Sequence, residues 1–214
     1  MAKKFDSEEI KDMLDKLEQM HPQAECELEY DTPFQLLVAV ILSAQCTDKR
    51  VNLVTQKLFK IYSAPEDFAE LEEEQLAPYI FSCGFYRNKA KNIISASRDI
   101  MTKFGGEVPS TIEELMTLAG VGKKTANVVY SVAFGGDAIA VDTHVLRLAN
   151  RIGFCDSDDP LKVEKALMQA IPKEYWSHAH HLLIHHGRYN CSSRKPNCGE
   201  CRICDYCKFY TGGC

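Results

Sequence analysis

Hydrophobic and polar residues alternate along most of this chain with the period of an α-helix. In residues 7–20 the apolar positions share one helical face, namely Ile10, Met13, Leu14 and Leu17. The later run LLVAVILSA is apolar on all sides and predicts a central buried helix. Further helices are expected over residues 49–61, 89–104, 123–134, 143–152, 161–171 and 175–186. Only residues 138–141 could form a strand, so the pattern predicts an all-α protein with a cysteine-rich C-terminal segment.

Two segments carry the residue types that begin helices. Thr32 can cap a helix, a proline suits the next position, and Gln35 can close a capping box. Ser110 and Glu113 repeat this pattern and predict a short helix that ends at Gly120.

The charge of the chain is unevenly distributed. Thirty acidic residues against 25 basic ones give a net charge of −5, which argues weakly against bulk attraction to nucleic acid. The acidic surplus lies in residues 1–31 and 66–74, whereas residues 87–103 and 188–208 are rich in Lys and Arg. A local basic face for DNA is therefore compatible with the negative total.

No segment of the sequence is typical of a membrane protein or an exported one. The longest uncharged run, residues 33–47, is shorter than the roughly 20 residues that span a bilayer. The start, MAKKFDSEEI, lacks the apolar centre of a secretory signal. We therefore expect a cytoplasmic protein that does not contact a membrane.

Five of the ten cysteines lie close together near the C-terminus. In a reducing compartment, clustered cysteines bind metal more often than they form disulfides. The spacing C-x6-C-x2-C-x5-C differs from the paired C-x2–4-C of zinc fingers, and with Cys204 it also contains the consecutive C-x2-C steps of a ferredoxin-like run. The pattern predicts a metal or iron–sulfur site and leaves open which four of the five cysteines are ligands.

The segment LAGVGKKT contains a Gly-x-Gly turn between two predicted helices. Gly120 and Gly122 allow a tight turn and a close backbone approach, and the N-terminus of the second helix suits an anion. A nucleotide phosphate loop is excluded because Thr117 stands where that motif needs glycine. The remaining interpretations are a helix–hairpin–helix that grips a DNA phosphate and a plain helix–turn–helix in a core.

Asp142 stands directly before a predicted helix, in the sequence VDTH. Aspartate at this position is the expected N-cap, which accepts hydrogen bonds from backbone N–H groups. A capping carboxylate is fixed in place and kept ionised. A purely structural role and a catalytic role are thus both compatible with the pattern.

The segment before the cysteines is rich in histidine and then in basic residues. Its histidines are His178, His180, His181, His185 and His186. The i, i+4 pair His181 and His185 suggests zinc, but the glutamate that a metalloprotease motif requires does not follow the first histidine. We expect these rings to pack, to cap or to meet DNA, with phosphate contacts from Arg188, Arg194, Lys195 and Arg202.

Together these motifs closely resemble the endonuclease III family, whose members are DNA glycosylases and abasic-site lyases of the helix–hairpin–helix, Gly/Pro-Asp superfamily. The resemblance rests on LAGVGKKTANVV, on AVDTH and on the cysteine spacing. It continues through PFQLLVAVILSAQCTD, KAKNII, GEVP and HHGRYNC, and so covers nearly the whole chain.

The resemblance implies two α-helical domains that flank a DNA-binding cleft. One is a six-helix barrel with the helix–hairpin–helix, here residues 26–136, and the other joins residues 1–25 to 137–214 around a [4Fe–4S] cluster. By the family pattern the cluster ligands are Cys191, Cys198, Cys201 and Cys207. Cys204 is then a non-ligand and a departure from the pattern.

The resemblance also assigns the catalytic residues, Lys124 as nucleophile and Asp142 as its acidic partner. Cleavage of the base–sugar bond builds positive charge at C1′, which a fixed carboxylate stabilises. A neutral amine can attack C1′ to form a Schiff base, and β-elimination then releases the 3′ phosphate. Lys124 must first lose a proton, which burial or the neighbouring Lys123 would favour. The alternative is a surface lysine that touches phosphate.

An enzyme that acts on a base in duplex DNA flips it out of the stack. The resemblance gives Gln45 and Phe85 as the residues that fill the hole, and Asp48 as an acid of the lesion pocket. Phe85 is bulkier than the leucine common in the family, and Gln45 could instead cap a helix. The expected DNA contacts are Gln45, Asp48, Phe85, Gly120, Gly122, Lys123, Thr125, His144, Arg147, Arg188, Arg194 and Lys195.

These features favour a bifunctional glycosylase and lyase for oxidised pyrimidines in double-stranded DNA, which also acts on abasic sites, as a monomer associated with the nucleoid. An adenine-mismatch glycosylase shares the fold but lacks the lysine, so Lys124 argues against it. A non-catalytic iron–sulfur electron carrier or DNA-binding module has no need for the lysine and hairpin together.

Overall fold

The computed structural model describes residues 4–212 and is entirely helical, with no strand in that range. This confirms the predicted all-α fold. Residues 138–141, the single segment that could have formed a strand, are a buried connection between two helices. The chain divides into two compact units, one made of Met1–Cys26 with Gly136–Cys214 and the other of Glu27–Gly135. No helix among the described residues is long and apolar enough to cross a membrane.

The unit Glu27–Gly135 contains seven helices. They are α2 (Pro33–Ser43), α3 (Asp48–Leu58), α4 (Pro65–Ala69), α5 (Glu73–Ile80), α6 (Tyr86–Lys103), α7 (Ile112–Leu115) and α8 (Lys123–Phe134). A short 3₁₀ turn, Phe81–Cys83, precedes α6. Helix α2 is the centre of this unit, because every residue from Phe34 to Leu42 is buried and α3, α6 and α8 contact it. Its uniformly apolar sequence requires such a surround.

The start of α2 uses its capping residues in a modified way. The hydroxyl of Thr32 accepts the backbone N–H of Gln35 at 3.2 Å, as predicted. The side chain of Gln35, however, accepts the N–H of Asp31 at 2.8 Å rather than that of Thr32. The reciprocal bond therefore closes one residue earlier than in a capping box.

The start of α7 is shifted by one residue from its predicted position. Thr111, not Ser110, is the N-cap, and its hydroxyl accepts the N–H of Glu114 at 3.2 Å. The helix ends at Leu115 instead of Gly120, so the prediction was wrong at both ends. Burial explains the register, because it places Leu115 in the core.

The other unit contains α1 (Ser7–Met20), α9 (Thr143–Ile152), α10 (Pro160–Ala170), α11 (Trp176–Tyr189) and α12 (Lys208–Thr211), with 3₁₀ turns Lys173–Tyr175, Cys198–Glu200 and Cys204–Tyr206. Helix α1 buries the four predicted apolar positions and contacts α11. Its start is closed by Asp6, whose carboxylate accepts the N–H groups of Glu8 and Glu9. Helix α9 contacts α10, α11 and α12, and so forms the middle of this unit.

Candidate functional site

The Gly-x-Gly turn lies between α7 and α8, and its two glycines differ. Gly120 has φ +78°, and a Cβ there would come within 2.8 Å of Cβ of Asn92, so only glycine fits. Gly122 is the N-cap of α8 in extended backbone, with φ −88° and ψ 177°, and open space lies around it. Because glycine has no side chain, the N-cap offers no acceptor to the N–H groups of the first turn. This is the arrangement of an anion site at a helix N-terminus.

Lys124 is exposed on the first turn of α8, where a ligand can reach its amine. Burial and a neighbouring cation were the two features expected to help Lys124 lose its proton. The side chain is not buried, but Lys123 is adjacent to it in the sequence. Lys123 and Thr125 are both half-buried. The first turn of α8 contains no acidic residue, so its positive end is reinforced by two cationic side chains.

Asp142 is the N-cap of α9, as its position in the sequence indicated. Its Oδ1 accepts the N–H groups of His144 and Val145, both at 2.8 Å. Both cap bonds use the same oxygen, so Oδ2 takes no part in the cap. The carboxylate is half-buried and held in one orientation with one oxygen outside the helix.

Arg147, one of the expected DNA contacts, directs its guanidinium at backbone carbonyls. Nη2 donates to the carbonyl of Gly187 at 2.8 Å and to that of Cys191 at 3.0 Å. Burial and the nearby Arg151 lower the pKa of Arg147, while Cys191 and Asp142 oppose that shift. In this structure Arg147 ties α9 to the start of the cysteine segment, and His144 lies 3.3 Å from it.

Gln45 and Phe85 are the two non-glycine residues with positive φ in the described range, at 54° and 45°. Both side chains are exposed, and that of Phe85 is 66% accessible. Left-handed backbone costs on the order of 1–3 kcal/mol for such residues and persists only where the surroundings enforce it. Strain of this kind concentrates at functional sites, and here it marks both expected wedge residues.

Lys89 is a residue of this region that was not singled out from the sequence. It lies on α6, is only 5% exposed, and its Nζ donates to the carbonyls of Leu42, Ala44 and Cys83 at 2.8, 2.7 and 2.6 Å. Burial lowers its pKa. The signal available in the sequence was its position on the same face of α6 as Ile93 and other buried residues. A lysine on an apolar face indicates a buried cation with specific acceptors.

Asp48 is the first residue of α3 and lines an open polar pocket. The same pocket is lined by Glu27, Glu29, Lys49, Asn52, Leu53 and Gln56. Its walls are partly fixed by hydrogen bonds, because Asn52 donates to the carbonyl of Glu27 at 2.8 Å and Gln56 to the carboxylate of Glu29 at 2.7 Å.

The five clustered cysteines line one small, partly open cavity. They are Cys191, Cys198, Cys201, Cys204 and Cys207, and Leu148, Ile152 and Ile203 provide apolar walls. Within residues 4–212 no three Cys, His, Asp or Glu side chains are arranged to hold a single metal ion. A zinc ion would need its thiolates about 3.8 Å apart, from a Zn–S distance of about 2.3 Å.

Two side chains contact sulfurs at this cavity. Nη1 of Arg151 donates to Sγ of Cys191 at 3.2 Å, and Nε2 of His186 lies 3.5 Å from Sγ of Cys201. Burial raises the pKa of the Cys201 thiol to about 11. Cys204 also lines the cavity, so the lining alone does not separate it from the other four cysteines.

Two of these histidines contact groups near the start of the chain. The ring of His186 also lies 3.1 Å from that of His21, and burial lowers the pKa of His186 to about 4. His185 contacts the carbonyl of Glu25 at 3.0 Å. Of the basic residues that follow, Arg188 is half-buried, whereas Arg194 and Lys195 are exposed.

Comparison with known proteins gives a consistent result. Residues 38–173 match the model of the HhH-GPD superfamily of base excision DNA repair proteins. The chain is similar to endonuclease III of Bacillus subtilis, with 54% identity over 201 residues that cover 94% of this chain and 92% of the relative. Endonuclease III of Escherichia coli is 44% identical over 198 residues, which cover 92% and 94% of the two chains.

Solved structures show the same similarity in three dimensions. A trapped endonuclease III–DNA covalent intermediate superposes with a TM-score of 0.91 at 50% identity and covers 97% of this chain and 98% of that one. A thermostable thymine-DNA glycosylase has a TM-score of 0.85 at 23% identity, over 96% and 98% of the two chains. At that identity, the second similarity shows a shared fold.

Proposed function

The chain belongs to the endonuclease III family of HhH-GPD base excision DNA repair proteins, and we propose that it removes oxidised pyrimidines from duplex DNA and cleaves the strand 3′ to the abasic site. It is a bifunctional DNA glycosylase and abasic-site lyase. The observation that carries the proposal is the exposed amine of Lys124 at the first turn of α8, directly after the Gly-x-Gly hairpin. A covalent DNA intermediate has been trapped in a relative 50% identical, and such an intermediate requires a nucleophile on the protein.

The two catalytic side chains act in sequence at C1′ of the damaged nucleotide. As the bond from the base to C1′ breaks, its electron pair leaves with the base, and the charge of Asp142 stabilises the cation that develops on the sugar. The neutral amine of Lys124 attacks C1′ and, after the sugar ring opens, forms an iminium. The iminium acidifies C2′, so a proton leaves from C2′ and the 3′ phosphate departs as the C2′–C3′ double bond forms.

Duplex DNA is held by backbone groups and by local positive charge. The N–H groups at the open start of α8 suit a phosphate oxygen, with Lys123 and Thr125 alongside. Gln45 and Phe85 fill the space from which the damaged base is withdrawn, because both are exposed and already strained into the left-handed region. The further contacts to DNA that we propose are Asp48, His144, Arg188, Arg194 and Lys195. Arg147 would act through the backbone it anchors.

The unit Glu27–Gly135 would be the barrel domain, and Met1–Cys26 with Gly136–Cys214 the iron–sulfur domain. The proposed ligands of a [4Fe–4S] cluster are Cys191, Cys198, Cys201 and Cys207, which fit because four thiols, the donors that iron–sulfur clusters take, line one cavity. When bound, the cluster cross-links four points of the C-terminal segment. Arg151 would donate to the sulfur of Cys191, and His186 would contact that of Cys201.

The cluster is tested by iron and sulfide analysis of the purified protein. We expect about four irons and about four sulfides per protein molecule, as in other [4Fe–4S] proteins. The protein should be brown, with an absorption band at about 400 nm. Cys201→Ser should lose the cluster, whereas Cys204→Ser should keep it. One tightly bound zinc without sulfide would contradict the assignment.

The catalytic proposal is tested by borohydride trapping on duplex DNA that contains thymine glycol. Borohydride reduces the iminium, so the protein should become covalently attached to the damaged strand. Base release without trapping would instead indicate a monofunctional glycosylase. The absence of both base release and trapping would indicate a non-catalytic DNA-binding protein.

We expect the protein to act as a monomer in the cytoplasm, at the nucleoid, where its substrate is.

A further inference from the structure

The ammonium of Lys89 connects the ends of two separate segments. Leu42 and Ala44 lie at the C-terminal end of α2, and Cys83 ends the 3₁₀ turn before α6. Carbonyl groups at helix ends lack donors within their own helix, and a cation is favoured there by the helix dipole. Nζ has three protons and makes three hydrogen bonds of 2.6–2.8 Å, so its donors are fully used.

Each of these segments leads directly into a strained, exposed residue. Gln45 follows Ala44, and Phe85 follows Cys83 after a single glycine, Gly84. Nothing in the local sequence explains left-handed backbone at glutamine or phenylalanine, because both favour negative φ. The bonds to Lys89 hold at once the carbonyl directly before Gln45 and the carbonyl two residues before Phe85.

We propose that Lys89 is a positioning residue that sets the spacing and orientation of Gln45 and Phe85 as a pair, so that both enter the DNA stack together. The inference rests on the proposed function, in which these two side chains fill the hole left by the flipped base. Lys89 itself is buried, with 5% of its surface exposed, so we expect it to make no direct contact with DNA. Its effect passes through the backbone carbonyls that it holds.

A merely structural role for Lys89 makes a different prediction. Loss of three buried hydrogen bonds leaves three carbonyls without that donor and destabilises the fold. Destabilisation alone would lower the folded fraction of the sample, and so would lower every measured activity by the same factor. A positioning role affects base extrusion selectively, because an abasic site has no base left to extrude.

The experiment compares Lys89→Met, which keeps most of the length of the side chain but cannot donate, with Ser97→Ala as a matched control. Ser97 is buried on the same helix, and its hydroxyl donates to the carbonyl of Ile93 at 2.8 Å, away from both loops. Single-turnover base release from a thymine glycol duplex and strand cleavage at a preformed abasic site are measured at a temperature where circular dichroism shows each variant folded. A third readout is the fluorescence of 2-aminopurine opposite a tetrahydrofuran abasic analogue, which reports wedge insertion without any reaction.

For Lys89→Met we expect base release to slow roughly tenfold to a hundredfold, as when a group is misplaced by up to an ångström. Cleavage at the abasic site should fall much less, and the 2-aminopurine signal should decrease. Ser97→Ala should leave the ratio of the two rates and the signal at their wild-type values. Equal losses in both rates, or an unchanged signal in folded Lys89→Met, would overturn the inference.

If Lys89→Met does not fold, Lys89→Gln, whose shorter side chain keeps an NH₂ group with two donor hydrogens, is measured in the same way with the same expected direction. Failure of the proposed function would be visible in the wild-type protein, which would then neither release the base nor be trapped. A wrong assignment of Lys89 would be visible only in the variants. The 2-aminopurine readout separates the two further, since it requires DNA binding but no catalysis.

Discussion

The N-termini of α8 and α9 differ in how the N–H groups of the first turn are satisfied. Each helix exposes backbone N–H groups in its first turn. At α9 the carboxylate of Asp142 accepts two of them at 2.8 Å. At α8 the N-cap is Gly122, which has no side chain, and two lysines follow it. The N-terminus of α9 thus has its N–H groups paired with a negatively charged side chain, whereas that of α8 remains positive and suits an external anion.

The comparison shows how one residue can decide what a helix end does. A capped start is stable without a ligand and can present a fixed carboxylate to a reacting cation. An open start forgoes that stabilisation and retains donors for a phosphate. The proposed mechanism needs both, with the nucleophile on the open start and the negative charge on the capped one.

The largest effect is expected from Lys124→Gln, which removes the amine but leaves the backbone of the open start intact. Borohydride trapping should be lost completely, because no iminium can form. DNA binding should persist, with a salt dependence lower by about 0.9 in the log–log slope if the lysine also touches one phosphate. Lys123→Gln is the control and should still be trapped. An adduct with Lys124→Gln would assign the nucleophile to another amine.

A smaller but still large effect is expected from Asp142→Asn. Asparagine caps a helix about as well as aspartate, so thermal stability should change little. Base release should nevertheless slow roughly a hundredfold or more, the range for positioned groups that act on developing charge. Asp159→Asn is the matched control, since Asp159 caps α10 by accepting the N–H of Leu161 at 2.9 Å. If neither variant slowed base release, the role of Asp142 would be limited to capping α9.

The smallest effect is expected from Gly122→Asp, which gives the open start a cap like that of α9. The backbone is already extended and open space surrounds Gly122, so the side chain fits. Stability should rise by a few tenths of a kcal/mol. DNA affinity should fall roughly fivefold or more, since two like charges 4 Å apart repel by about 1 kcal/mol even in water.

Gly122→Ser supplies the matched control for this exchange. It adds a cap without charge, and so should weaken binding less than Gly122→Asp. Titration of a fluorescent duplex at two salt concentrations measures both. Equal affinity of wild type and Gly122→Asp would show that this start does not face a phosphate.

Sequence periodicity was sufficient for the helices with a clear apolar face. Helix α1 buries the positions that it indicated, and α2 is the central helix. Helices α4 and α5 were not predicted, because the six acidic residues between 66 and 74 conceal the buried side chains of Phe68 and Leu76. Short helices of this kind depend on tertiary burial rather than on their own pattern.

The sequence indicated candidate residues where chemistry is encoded in spacing, as in the cysteines, the Gly-x-Gly turn and Asp142. It did not indicate Lys89, because the partners of that lysine include the carbonyl of Leu42, 47 residues earlier in the chain. Nor could left-handed backbone at Gln45 and Phe85 be foreseen, since neither residue type favours it. These features arise from contacts between distant segments, which a local pattern does not contain.

The discontinuous unit has a consequence for synthesis on the ribosome. His21, just after α1, contacts His186 on α11, 165 residues later. At about 5–20 residues per second the ribosome needs about 8–33 s to make that stretch. Residues 27–135 are contiguous and can fold during this interval. The apolar face of α1 stays unpaired until α11 has been synthesised. The helix that emerges first therefore completes its native packing among the last, and nascent chains are exposed to chaperones and proteases at this face.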